Sequence, residues 1–469
     1  MEANNIKRNC KKIVTLLTIV MVFASLSVYN LRAEKQSYPR YDLLIVAPNL
    51  FLKYLEPLVE HKNRHGVRTK LVDIEDVYQQ MYWQGRDQAE KLKYFIKSAV
   101  EKWGIKYVLL VGGKKHQTAS DNYWIPVRYS HLNRSYEGYA ESKFLSDLYF
   151  ADIYNKEGNF SSWDTNGNGI YGEWAENQSA ADIPDLYPDV YVGRLPCRNI
   201  FDVKVVVKKI IDYESKKCSD SWFKRMVVVA GDTYPEKTSY YDGEVYTQMG
   251  LDMMPGFEAV KLWTSDGSLK SWVDVVRAIN RGCGFIWFSG HGNPASWATH
   301  PPNSSKWITG LKLWQMNFLF NKEKLPICIT GSGCFNSMFN VSLKHSDWTY
   351  FMGLFPYNVP YCWSWAMVKR ATGGSIATIG ATAFSYESPD INRGEGGIEW
   401  LDMHFFEQYG LKNVTILGEV WGKTITAFLQ NFTINWNDNS PNGSAIIAKN
   451  VQEWVLFGDP SLKIGGYFN

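Results

Sequence analysis

Two apolar runs in the second half of the chain each end in a residue able to do covalent chemistry. Gly284-Phe-Ile-Trp-Phe-Ser-Gly-His-Gly292 delivers His291, and Pro326-Ile-Cys-Ile-Thr-Gly-Ser-Gly-Cys334 delivers Cys334. A thiol is a nucleophile and an imidazole a base, so together they suit attack on an acyl carbon. Both runs read as buried parallel strands, and the carboxyl ends of neighbouring parallel strands face one crevice. About 40 residues separate the two, enough for a crossover connection. The small residues Gly290, Gly292, Gly331, Ser332 and Gly333 leave room for a substrate backbone. The amides of Gly292 and Cys334, at the turns leaving the strands, are the expected oxyanion donors.

The elements that must position this pair are legible as two α/β series. The first alternates strands over 43–47, 69–73, 107–112 and 189–196 with helices over 50–64, 86–103 and 201–213, interrupted by a loop-rich stretch of about 70 residues. A junction falls at 219–223. The second series has strands over 226–232 and 259–263, the histidine and cysteine strands, and strands over 375–380 and 461–464. Its helices are placed near 242–250, 271–281, 399–408 and 416–431. The expected fold is α/β, with two consecutive open-sheet subdomains over 41–218 and 222–466.

At 469 residues, with 45% hydrophobic and 15% aromatic content, the chain can bury a large core, and wholesale disorder is excluded. Fifty basic against 47 acidic side chains give a net charge of +3, too balanced to make nucleic acid the partner. Lys7, Arg8, Lys11 and Lys12 precede an uncharged apolar run over 13–28, the pattern of a secretory signal occupying 1–33, with cleavage after Ser27 or Ala33. An uncleaved signal anchor is the alternative; no other membrane segment is expected. Seven cysteines include no Cys-x-x-Cys pair, which argues against a zinc ribbon. Cys283, Cys328 and Cys362 read as buried small hydrophobes, and Cys197 with Cys218 is a candidate disulfide in an oxidising space.

The block Gly290-His-Gly-Asn-Pro-Ala-Ser-Trp-Ala-Thr299 resembles the His-Gly block of the gingipain family of cysteine peptidases, relatives of caspases and legumain. The stretch 327–334 resembles the family's cysteine block. Ser146-Asp-Leu-Tyr149, Pro188-Asp-Val-Tyr-Val-Gly-Arg-Leu-Pro196, Asp212-Tyr-Glu214, Gly374-Ser-Ile-Ala-Thr-Ile-Gly380 and Trp454-Val-Leu-Phe-Gly-Asp-Pro-Ser-Leu462 extend the likeness in order. It covers roughly 41–465 and implies a caspase-like second subdomain. It also implies Cys334 as nucleophile, His291 as its proton partner and an acid that orients the histidine. Asp232 is the best positional match for that acid, with Glu236 and Glu244 as alternatives. For the pocket that takes the residue before the cut, the resemblance places Tyr246 beside Glu244, with Tyr386 and Trp297 as aromatic walls. A basic preference would require Glu244 or Glu387 to reach that pocket. The family's long propeptide and its domains after the catalytic unit have no counterpart before Leu43 or after Leu462, so latency and attachment are expected to differ.

A second signal is Asp164-Thr-Asn-Gly-Asn-Gly-Ile-Tyr-Gly-Glu173. Oxygen donors at every second position, Asp164, Asn166 and Asn168, followed by a glycine, are how a calcium loop is built; Ile170 would add its carbonyl and Glu173 or Glu176 a carboxylate. The twelfth position is Ala175, so the loop is not an EF-hand. A solvated Asn/Gly turn is the competing explanation. His61 and His65 have helical metal-ligand spacing without the accompanying glutamate, and a helix face explains them. The expectation is therefore a secreted or surface-held cysteine endopeptidase acting on polypeptides, needing no cofactor for catalysis and carrying a structural Ca2+ at most. A binding or adhesion protein on a retired peptidase fold, and a transpeptidase or amidase using the same dyad, are the alternatives.

Overall fold

Each half of the chain opens on a strand with a continuous apolar run, Leu43–Ala47 in the first and residues 226–230, after Arg225, in the second. Burial of both faces explains why such runs carry no polar alternation. The computed structural model describes residues 38–136, 139–215, 221–235, 241–344, 358–387, 396–440 and 443–467, with Thr15, Thr18 and Met21 before them. Apart from those three residues the expected signal lies outside the described residues, as do Cys218 and Glu236. The first half runs β1 (Leu43–Ala47), α1 (Asn49–Arg64), β2 (Thr69–Asp73), α2 (Ile74–Gln80), α3 (Gln88–Trp103), β3 (Tyr107–Val111), β4 (Tyr191–Leu195) and α4 (Ile200–Glu214). The second half begins with β5 (Arg225–Ala230), α5 (Asp242–Asp252), β6 (Glu258–Trp263), α6 (Trp272–Arg281), β7 (Phe285–Ser289) and β8 (Ile327–Thr330). It continues with α7 (Trp363–Lys369), β9 (Ala377–Ala381), α8 (Ile398–Gly410), α9 (Leu417–Asn431), α10 (Ser444–Glu453) and β10 (Trp454–Phe457).

Helix starts follow local chemistry. Asp73, Asp87, Asn199 and Ser271 each accept a hydrogen bond from an amide in the first turn, and Ser271 with Asp274 completes a capping box.

All ten strands join one sheet in the order β6-β5-β7-β8-β9-β10-β4-β3-β1-β2. Both α/β series expected from the sequence contribute strands to this one continuous sheet. Pairing is parallel except between β9 and β10, where the ladder is antiparallel. Since β10 then pairs in parallel with β4, through Phe457 opposite Arg194, the strands of the first half run opposite to β5–β9. Only the second half sends strand ends to the crevice that holds His291 and Cys334. One correction concerns the end of the chain. Residues 461–464 form no strand beyond an isolated bridge from Lys463 to Ile416, and the last sheet strand is β10.

Alternation along the central strands sorts their side chains into two layers. Val227, Val229, Ile286 and Phe288 pack on one face with Val275, Ile279 and Trp363. Met226, Val228, Phe285 and Trp287 face the other, with Phe405 and Phe406. Truncating a fully buried member of either layer to alanine costs about 2–5 kcal/mol. The cysteines expected in the core, Cys283, Cys328 and Cys362, are buried free thiols, as is Cys197.

Candidate active site

β7 does not end in a helix. Gly290, with φ of +154°, turns the chain where a Cβ would meet the Trp297 ring at 2.9 Å, and His291 then opens a hairpin. Residues 291–293 pair antiparallel with 296–299, which pair in turn with 308–312. Trp297 anchors this hairpin. It is fully buried, packs on Phe288 at 5.2 Å, and fits only because Gly310 leaves its ring room. Expected as a pocket wall, it is a core residue instead.

The loop after β8 is shaped by one carboxylate. Asp402 of α8 accepts the amides of Gly331 and Ser332, each at 3.1 Å, and the indole N–H groups of Trp287 at 3.2 Å and Trp454 at 2.9 Å. A Cβ on Gly331 would lie 2.2 Å from this carboxylate. Burial pushes Asp402 up to about 7. Phe335, directly after Cys334, sits at φ +59°, a left-handed conformation that a bulky residue keeps only when its surroundings hold it there. Its amide donates to Ala383 O at 2.8 Å.

The two loops interlock. A Cβ on Gly292 would lie 2.7 Å from Gly333 Cα, so the backbone beside the histidine rests on the backbone beside the cysteine. Asn336 stitches them: its Nδ2 donates to Asn293 O at 2.7 Å and Ser296 O at 3.1 Å, while Oδ1 accepts from Thr330 at 2.8 Å. His291 and Cys334, both half-buried, are thus brought to one edge of the sheet.

His291 Nε2 lies 2.8 Å from the carbonyl oxygen of Thr233. A carbonyl only accepts, so Nε2 carries the proton, and in the neutral ring Nδ1 keeps its lone pair. Burial lowers the imidazole to about 4, with the neighbouring His300 adding to the effect. Burial also raises the Cys334 thiol to about 11, although Ser385 opposes the shift. The Ser385 hydroxyl lies 3.4 Å from Sγ. At neutral pH the pair therefore rests as neutral thiol and neutral imidazole. The Cys334 amide, expected as an oxyanion donor, is engaged with Ser332 O at 3.1 Å.

Asp232, the expected orienting acid, is buried one residue before Thr233. Its carboxylate accepts the Asn303 amide at 2.8 Å, and its own amide donates to His300 O at 3.0 Å. Glu244 accepts from Thr264 Oγ1 at 3.2 Å, from the Ser265 amide at 2.9 Å and from the Ser265 hydroxyl. Tyr246 is buried in the core. Tyr386 is half-buried beside Phe384, with ring centroids 5.1 Å apart, and shares two hydrogen bonds with Asn450.

The carboxylates next to the site are others. Asp242 accepts the Thr233 amide at 2.8 Å. Glu387 follows Ser385 by two positions and is raised well above its usual range by burial, then by the charges of Asp242, Glu399 and Asp402. Asp242, Thr233, Ser385, Asn336 and Asp402 carry no motif of their own in the sequence. Asp242 was open to discovery as the nearest acid ahead of the expected Glu244.

The Asn/Gly loop closes on itself. Asp164 accepts the Asn168 and Gly169 amides, each at 3.0 Å, and carries the Arg86 guanidinium. Asn166 Oδ1 accepts the Asn168 amide at 3.0 Å, and Asn168 Oδ1 accepts the Ile170 amide at 2.7 Å. Glu173 receives the side-chain amides of Asn166 at 3.3 Å and Asn168 at 2.7 Å. The side chains of Asp164, Asn166, Asn168 and Glu173, counted toward a calcium ion, each accept from N–H donors, so the loop as arranged fits Ca2+ only after Arg86 leaves Asp164. Among the described residues no cluster of three or more His, Cys, Asp or Glu side chains is placed to hold a metal ion, and no helix is long and apolar enough to cross a membrane.

The chain is similar to known proteins in sequence and in fold. Gingipain R2 of Porphyromonas gingivalis is 22% identical over 434 residues, covering 90% of this chain and 46% of the relative. Gingipain R1 of the same organism is 21% identical, with 34% of its length covered. The chain thus spans less than half the length of these curated relatives. Among solved structures, the complex of Porphyromonas gingivalis RgpB pro- and mature domains superposes with a TM-score of 0.59 at 19% identity, covering 90% of this chain and 79% of that one. The Arg-specific cysteine proteinase gingipain R gives 0.58 at 18% identity, covering 92% and 79%. The model of peptidase family C25 matches residues 36–465, nearly all of the part that folds around the sheet, and the chain belongs to that family.

Proposed function

We propose that the protein is a cysteine endopeptidase working through Cys334 and His291. The observation that carries this reading is the contact of Gly292 with Gly333, which sets the two loops against each other. His291 Nδ1 takes the thiol proton as Sγ bonds to the scissile carbonyl carbon. The C–N bond then breaks, and the same proton passes to the leaving amine. Water, deprotonated by His291, hydrolyses the thioacyl enzyme and restores the thiol. The oxyanion is held by the Gly292 and Cys334 amides, the latter exchanging Ser332 O for the substrate oxygen. A neutral resting pair suits this order, because the proton moves only when substrate is present.

Asp242, Glu387 and Glu399 form a cluster of carboxyls one step from the dyad; burial and like-charge repulsion raise Asp242 and Glu387, and a basic side chain before the cut would supply the counter-ion that lets them ionise. The Arg specificity in the name of one structural relative points the same way. The basic run and apolar stretch at 7–28 support export, with polypeptides met outside the cell as substrates. An acyloxymethyl ketone carrying Arg or Lys is expected to label Cys334, and Asp242→Asn to slow that labelling about 100-fold. Equal labelling by a leucine-bearing ketone would overturn the basic pocket; no labelling of Cys334 by either would favour the retired fold.

A further inference from the structure

Beside His291 stands a tryptophan that the dyad chemistry does not use. Trp307 is 47% exposed, whereas Trp287, Trp297, Trp363 and Trp454 around the site are fully buried. Its indole lies 5.2 Å from the His291 ring, edge-on, and 3.9 Å from the ring of His300.

The indole is held in place. Trp307 directly precedes the strand 308–312, whose Ile308 pairs with Thr299, so His300 and Trp307 face each other across the mouth of one connecting loop. His300 Nδ1 lies 3.2 Å from Lys306 O, and His300 O accepts the Asp232 amide and, at 3.1 Å, the Thr264 hydroxyl. Asn303, at the loop tip with φ of +54°, donates its amide to Asp232. Asp232 therefore grips the loop at two points. A rigid, half-exposed aromatic beside a reactive group is a ready binding surface, since little freedom remains to be lost when a ligand covers it.

We propose that Trp307 is the platform for the side chain that follows the scissile bond, and that it selects an aromatic or large aliphatic residue there. This rests on the cysteine-peptidase reading above. His291 hands its proton to the amine of the residue after the cut, so that residue must lie against the imidazole. Among the described residues two exposed aromatic rings lie within one side-chain length of it, Tyr234 at 5.5 Å and Trp307 at 5.2 Å. Tyr234 sits among the charges of Glu387, Asp242 and Glu399, on the side assigned to the residue before the cut, which leaves the indole for the residue after it. Asp242, Glu387 and Glu399 belong to the residue before the cut.

The test uses quenched-fluorescence peptides identical up to the cut and carrying Phe, Leu or Gly immediately after it. The wild-type enzyme is expected to favour Phe and Leu over Gly about tenfold in kcat/KM. That ratio should fall to near one in Trp307→Ala and stay within about twofold of wild type in Trp307→Phe. Cys334 labelling by a ketone with no residue after the cut reports that each variant is folded. A wild-type ratio near one, or a ratio unchanged in Trp307→Ala, overturns the inference while leaving the peptidase reading intact. A wild-type enzyme that cuts none of the peptides overturns both.

Discussion

Asp402 and Asp164 are two buried aspartates that organise a glycine-rich loop, one in each half of the molecule, and they do it with opposite electrostatics. Asp164 has a cation beside it. Burial pushes its carboxyl up, but the Gly169 amide and Arg86 outweigh that and hold it below the ordinary range. Asp402 is given N–H donors, two from the loop that carries Cys334 and two from indoles, and burial wins, lifting it to about 7. A carboxylate neutralised by a cation completes a surface loop and leaves little demand for another ion. One surrounded by neutral donors fixes backbone positions, which is what a loop presenting a nucleophile requires.

The largest effect that would sharpen this contrast comes from the loop contact itself. Gly292→Ala sets a Cβ against the Gly333 backbone, where no flexible side chain can give way, and should part the histidine and cysteine loops. We expect kcat to fall about 100-fold, because a displacement of about 1 Å costs that much in a positioned reaction. Thermal melting, followed alongside, should change far less.

Asp402→Asn comes next. It keeps the shape but replaces one acceptor oxygen by a donor facing N–H groups, and should cost about 2–3 kcal/mol of stability with a roughly tenfold loss in kcat. Its pH dependence follows from the raised carboxyl. A group that binds its proton more tightly when folded contributes stability present below its unfolded value of 3.8 and lost as the pH rises through about 7. The wild-type advantage over Asp402→Asn, measured by urea titration, should therefore shrink between these values; an advantage growing across that window would contradict the account of Asp402.

The smallest effect is expected at Asp164. Because Arg86 already supplies the positive charge, chelation with EDTA should move the melting temperature by less than about 1 °C. A drop of several degrees would show that the loop exchanges Arg86 for calcium, and would remove the contrast between the two aspartates.

Much of the site's frame was legible in the sequence because apolar runs ending in glycine leave few alternatives to a buried strand. The β7 and β8 runs, with His291 and Cys334 after them, could be read from residue types alone. The reversal of strand direction between the halves could not, because it depends on β10, a short run whose antiparallel pairing with β9 is a tertiary choice. Asp402 was hidden for a related reason: its four donors come from positions 287, 331, 332 and 454, brought together only by folding. Trp297 and Tyr246 misled because an aromatic residue reads alike whether it lines a pocket or fills a core. Trp307 carried no signal, since its value lies in being left half-exposed beside an imidazole.

The most direct test of the central claim is digestion of a mixed peptide library by the wild-type protein, Cys334→Ala and His291→Ala, with products read by mass spectrometry. The account predicts cuts after basic residues by the wild type and none above background by either variant, with all three melting alike. Cutting by Cys334→Ala at the wild-type rate would contradict it.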